Sequence, residues 1–252
     1  MCIKVKKLFL IIAFIFILSS QITLWFHTKH IKPEMIIVPD VPSFTTIAIL
    51  SLGDLQFYFR NLAFKIQNAG DSWGRFTALK DYNYEKLQAW FYLLDKLDRK
   101  SNFVPSLASY YYSQSQNISD NKYIVKYLED HAKKDIANKW WWMTQAVYLA
   151  NHKLEDKELA LRLSYYLTEI PKDVNVPFWV RQMPAFIHED MGETGAAKKI
   201  IIDILTNFNK FTPGELNFME YFIKERLKDD KFKYEIIEEL RKNAKWENKH
   251  SR

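Results

Sequence analysis

Nineteen consecutive residues, 8–26, contain no Asp, Glu, Lys, Arg or His. As a helix rising about 1.5 Å per residue, the run reaches roughly 28 Å, close to the hydrocarbon thickness of a bilayer. Lys4, Lys6 and Lys7 precede it, which also fits the charged start of a secretory signal. The cleavage pattern is poor. If Ser20 or Ser19 were the last residue removed, Leu18 or Ile17 would stand where a small side chain is required. Apolar character resumes after Gln21 and ends in Trp25 and Phe26, residues suited to a membrane interface. The reading is an uncleaved anchor. Lysines before the span outnumber Lys29 and Lys32 after it, so the N-terminus is expected in the cytoplasm and the remainder exported. The abundance of Lys and Ile points to a bacterial inner membrane facing the periplasm.

Composition narrows the function of the rest. The net charge is +6, but the five lysines of residues 1–32, a segment without acids, account for all but one unit of it. A nucleic-acid binder concentrates cations on its folded surface, so nucleic acid is not expected as a partner. Cys2 is the only cysteine, which rules out an internal disulfide and a Cys-based zinc site.

Pro33, Pro39 and Pro42 mark residues 27–43 as a tether between the span and a soluble part. Residues 44–230 read as helices, with a first one interrupted at Gly53, and residues 231–252 as a charged capping helix and tail. Leu87, Phe91, Leu94 and Leu97 form one stripe. Ile124, Tyr127, Leu128 and His131 form another, as do Leu159, Leu163, Tyr166, Leu167 and Ile170, and then Ala197, Ile201, Ile204, Leu205 and Phe208. Asn83, Asp120, Asp156 and Thr194 stand where N-caps belong. No segment after the tether alternates with period two, so sheet is not expected. Pro184 is expected to kink its helix, and Gly192 and Gly195 to flank a turn.

The stripes recur. Leu87, Ile124, Ala160 and Ala197 are spaced by 37, 36 and 37 residues, and Ala108, Ala146 and Ala185 by 38 and 39. Helix pairs at such a period predict an α-solenoid, in which neighbours share a core that one pair cannot bury alone. Ala185, Ala197 twelve residues on, then Ile201 and Ile204 resemble the tetratricopeptide repeat (TPR). Ala146 with Ala160 and Pro171 resembles it more loosely, with two extra residues in the turn, and Ala108 with Ile124 more loosely still. The period exceeds the usual 34 residues of that repeat. Pro184 replaces the family's leucine, and Asn209 its proline. The opening part, with Gly53-Asp54-Leu55, Tyr58-Phe59-Arg60 and Leu93-Leu94-Asp95, is similar to bacterial membrane-anchored helical-repeat proteins that have no assigned activity. The resemblance implies an all-α fold: a right-handed stack of antiparallel helix hairpins, TPR-like, behind one transmembrane helix. It also implies protein or peptide binding on a concave face lined by first helices.

Candidate contact residues follow from aromatic runs. Trp140, Trp141 and Trp142 are consecutive, so their side chains fan over roughly 200° and do not share one stripe. Trp179 stands at the equivalent place one repeat later, and Tyr110, Tyr111 and Tyr112 one repeat earlier. Tyr110, Tyr111, Trp141, Trp142 and Trp179 are therefore expected to form an aromatic strip that holds a partner, since buried aromatics dominate interface energetics. His188, Glu189 and Asp190 are adjacent on a helix and are expected to diverge into solvent. His131, His152 and His188 lack the spacing of a helical zinc pair, so neither metal nor cofactor is expected. The expected function is a non-catalytic scaffold that binds a protein or peptide at the membrane. The alternatives are a glycan-acting envelope enzyme and a structural subunit of a membrane complex.

Overall fold

The computed structural model describes residues 2–29, 36–72, 75–207 and 211–228. His30, Lys32, Pro33, Phe208, Asn209, the side chains of Lys4, Lys6 and Lys7, and the expected capping helix of residues 231–252 lie outside the described residues. The chain divides into two units, Met1–Ile37 and Val38–Arg252.

The described part of the first unit holds one helix, α1 (Cys2–Thr28), uninterrupted by Pro or Gly. Its hydroxyl groups turn inward on their own backbone: Ser20, Thr23 and Thr28 donate to the carbonyls of Phe16, Ser19 and Leu24. Such bonds satisfy polar atoms without water. Lys29 lies over the Phe26 ring at 4.4 Å and near Trp25 at 5.3 Å, a cation–aromatic cluster at the end of the apolar run. Among the described residues α1 is the one helix long and apolar enough to cross a membrane, by length and composition.

The second unit starts before the expected end of the tether. Val38 is buried, the Trp90 indole donates to the Pro39 carbonyl at 2.8 Å, and Asp40 pairs with Lys86 at 2.7 Å. Its helices are α2 (Phe44–Leu50), α3 (Leu55–Gln67), α4 (Tyr84–Leu97), α5 (Phe103–Ser106), α6 (Asn121–Lys133), α7 (Ile136–His152), α8 (Lys157–Tyr165), α9 (Phe178–Arg181), α10 (Met183–Asp190), α11 (Thr194–Asn207) and α12 (Pro213–Tyr221). The only pairing of strands among the described residues is a two-residue antiparallel bridge, β1 (Asp71–Ser72) with β2 (Arg75–Phe76). Gly70 precedes it at φ 76°, and a Cβ there would collide with the Tyr82 phenol, so only glycine fits.

Caps fix most helix starts. Asn83 and Asp156 cap α4 and α8 as expected. Ser43, Asp54, Asp135 and Thr212 do the same for α2, α3, α7 and α12, with Glu215 completing a capping box at Thr212. Asp120 does not cap α6, because its carboxylate accepts from Ser115 and Asn117 instead. Thr194 is the first residue of α11, and the Glu193 carbonyl accepts from Ala196 and Ala197.

Three expected helices differ in detail. The segment after Phe103 widens into a π turn over Leu107–Tyr111 and tightens into a 3-10 turn over Tyr112–Gln114. The stripe through Leu159 leaves the helix after Tyr165, although Leu167 and Ile170 stay buried on successive tight turns. Pro184 does not kink a continuous helix. It sits at the start of α10, where its missing N–H costs nothing, and Gln182 separates that helix from α9. Gly192 closes α10 at φ 80°: its N–H reaches the Glu189 carbonyl while Glu193 N–H reaches that of His188, the paired bonds of a Schellman motif. Gly195 lies within the first turn of α11.

Neighbouring helices pack in sequence: α3 on α4, α4 on α6, α6 on α7, α7 on α8, α8 on α10, and α10 on α11. Every residue of the recurring series, Leu87, Ala108, Ile124, Ala146, Ala160, Ala185 and Ala197, is fully buried. Side-chain bonds between elements repeat on the same scale. Trp141 to Tyr110, Gln88 to Tyr123, Tyr92 to Asp130, Arg226 to Glu189 and Trp142 to Asn102 join residues 31, 35, 38, 37 and 40 apart.

Candidate functional site

Asp135 caps α7 by accepting from the Asn138 backbone, which sets the helix rotation immediately before the three tryptophans. Each then faces a different neighbour. Trp142 points inward, 6% exposed, and its indole donates to Asn102 at 3.0 Å. Trp141 is 39% exposed and donates to the Tyr110 hydroxyl at 2.8 Å. Trp140 lies edge-on to Trp141 at 5.8 Å and to Trp179 at 6.2 Å, and Tyr110 edge-on to Trp142 at 6.2 Å. The fold thus joins Tyr110, Trp141, Trp142 and Trp179 through Trp140, a residue not among the expected contacts. Trp142 supports this strip from beneath. Tyr111 does not belong to it. Its ring lies edge-on at 5.0 Å to Tyr112, which is buried against Tyr82, Tyr84 and Phe91. The π turn carries these tyrosines apart, with Tyr110 toward α7 and Tyr111 toward the Tyr82 side.

From Trp179 the strip opens onto a cavity of about 340 Å³ lined by Phe178, Gln182, Phe186, Gly214, Glu215 and Phe218. The Gln182 side-chain oxygen is buried there without a hydrogen-bond partner. The Phe186–Phe218 ring pair, 5.7 Å apart, is shared with a second cavity of about 300 Å³. That one is walled by Val147, Tyr148, Asn151, His152 and Tyr221, with Arg226, Glu189 and Asp190 at its charged side. The Asn151 carbonyl oxygen is likewise buried and unpartnered, while its amide donates to Asp190 at 2.9 Å. The two cavities are mainly aromatic and aliphatic. An extended ligand with apolar side chains matches this lining.

His188, Glu189 and Asp190 do diverge: Asp190 is exposed as expected, Glu189 is half-buried and His188 is buried. His188 lies between Glu193 at 2.6 Å and the Tyr165 hydroxyl at 2.9 Å. Glu189 receives Arg226, and Asp190 receives Asn151. Partners arriving from other helices made these residues structural, which their sequence adjacency did not reveal.

One polar cluster went unread in the sequence. Asp95 on α4 accepts from the Tyr127 hydroxyl at 2.8 Å and lies 2.6 Å from His131 Nδ1, both on α6, with Lys134 at 3.4 Å. Burial pushes the Asp95 carboxyl upward, but His131, Tyr127 and Lys134 outweigh it and hold it below its usual range. Burial and Asp95 raise the Tyr127 phenol well above its ordinary value. His131 is wholly buried, and its Nε2 has no partner, so this imidazole cannot reach a substrate. A carboxylate beside the Leu94 stripe, opposite a Tyr and a His four apart, was the available signal. Among the described residues no group of three or more His, Cys, Asp or Glu is placed to hold a metal ion. No family model, curated protein or solved structure matches this chain.

Proposed function

We propose that this chain is a membrane-anchored scaffold that holds a protein or peptide partner, with no catalysis of its own. In this reading the second unit is a right-handed, TPR-like stack of antiparallel helix hairpins. The anchor is α1, in a bacterial inner membrane, with the N-terminus in the cytoplasm and the stack in the periplasm. The 36–39-residue recurrence of fully buried small and apolar residues supports the repeat, as do the inter-element bonds of similar span. The observation that carries the binding role is the aromatic strip from Tyr110 to Trp179 running into a mainly apolar cavity walled by Phe178, Phe186 and Phe218. An exposed tryptophan anchored through its N–H presents a rigid apolar face, which suits a hot spot.

The test is capture in native membranes, by crosslinking and mass spectrometry. Trp141→Ala combined with Trp179→Ala should leave the far-ultraviolet spectrum and the melting curve nearly unchanged, because both side chains are partly solvated. Capture of the partner should fall about tenfold or more, as hot-spot truncation implies. Capture equal to that of the native chain would reject the strip as the contact surface.

A further inference from the structure

The segment from α2 to α3 exposes large apolar side chains on both sides of its turn. Ile49, Leu50 and Leu52 surround its turn, and all are exposed, Leu52 by 93%. Leu52 also adopts φ 49°, the left-handed region that a bulky residue enters at a cost and that glycine or asparagine would enter freely. On α3 the inward face is Phe59, Leu62, Ala63 and Ile66. At 100° per residue, Phe57 and Phe64 fall on the opposite face, with Arg60 and Asn61 between them. Both phenylalanines are exposed, and so is Arg60. Asp54 is the sole acid from residue 44 to residue 67, and its carboxylate is already engaged with the Phe57 backbone. The outward surface is therefore apolar and basic.

We infer that this segment lies on the lipid surface, with the Leu50–Leu52 turn inserted among the headgroups and Phe57, Arg60 and Phe64 at the interface. The inference rests on the reading of α1 as an anchor. Tether length and the basic, apolar character of the exposed face point to lipid rather than to a soluble partner. Val38 is already fixed in the folded unit, so nine steps of chain separate it from Lys29, and even fully extended they reach only about 30 Å. α2 starts six residues later. The tether therefore keeps the second unit within reach of a bilayer spanned by α1, and Arg60 and Lys65 complement anionic headgroups.

The experiment uses the full chain with Cys2→Ser, reconstituted in vesicles of phosphatidylcholine and phosphatidylglycerol that include a lipid bearing a nitroxide near the headgroup. An environment-sensitive fluorophore is attached in turn at Leu52→Cys, Phe57→Cys and, as an exposed control, Glu158→Cys. The labels at 52 and 57 should lose about half their emission or more, as expected for side chains at interfacial depth, and the label at 158 should not. Adding Leu50→Asp and Leu52→Asp should restore emission at 57 while the protein stays with the vesicles. A chain that floats with the vesicles but remains unquenched at 52 overturns the lipid contact alone. A chain that washes off the vesicles overturns the anchor together with it. Crosslinking from position 52 to a protein in native membranes, without quenching in pure lipid, would assign the turn to a membrane protein and overturn the inference.

Discussion

The Glu129 carboxylate is almost wholly buried yet stays charged, because Arg162 grips both oxygens at 2.6 and 3.3 Å and Lys133 adds a third bond at 2.6 Å. Burial alone would raise its affinity for a proton. The bonds from Arg162 and Lys133 prevail and bring it down to about 2. A carboxyl lowered on folding stabilises the native state above its unfolded value and loses that contribution as pH falls toward the folded one. Because Arg162 and Lys133 are partly solvated, the contribution is on the order of 2 kcal/mol. Urea titrations should show Glu129→Gln less stable than the native chain by about that amount near neutrality. The gap should shrink steadily from about pH 5 downward. A gap independent of pH would show that the charge is not what matters. Residues of this kind were hidden in the sequence because their partners lie a helix pair away. Glu129 reads as an ordinary surface acid until Arg162 is placed beside it. That three tryptophans in a row do not share one stripe was legible, but which of them faces outward was not: Trp141 is exposed and Trp142 is buried. The separation of Tyr110 from Tyr111 was not legible, because consecutive tyrosines look equivalent until the local winding of the backbone is known.

At the scale of the element, the recurring alanines decide how closely helices approach. Ala146 on α7 and Ala160 on α8 are both fully buried where these helices meet. Ala146→Leu would force three extra carbons and a branch into a closed contact, and should cost about 1–3 kcal/mol by chemical denaturation. Ala196→Leu, one residue before the buried Ala197, should cost less, since its site is only partly buried. Equal costs would mean that these helices are not closely fitted. Helix existence was legible from the apolar period, and the caps at Asn83 and Asp156 from residue type. The break at Gln182 was visible only as Pro184, whose effect depends on whether the chain treats it as an interior or a first-turn residue. The π turns at Leu107–Tyr111 and Phe222–Arg226 left no sequence signal, because a widened turn reflects packing rather than propensity.

For the molecule as a whole, the readable features were the apolar run and the period of about 37 residues. The proposed topology makes a direct prediction. In intact spheroplasts, added protease should remove the second unit and leave a small membrane-embedded fragment containing α1. Full protection until lysis would reverse the orientation, and release of the uncut chain by alkaline wash would remove the anchor. The inter-element bonds described above carry one more implication. The most distant pair, Trp90 and Pro39, is 51 residues apart, and the others mostly join positions 31 to 40 apart. Among the described residues these bonds join each segment to one that follows it within about one or two helix pairs. The chain can therefore zip up progressively as it leaves the ribosome or a translocation pore, each newly emerged hairpin completing the seam left open by the one before.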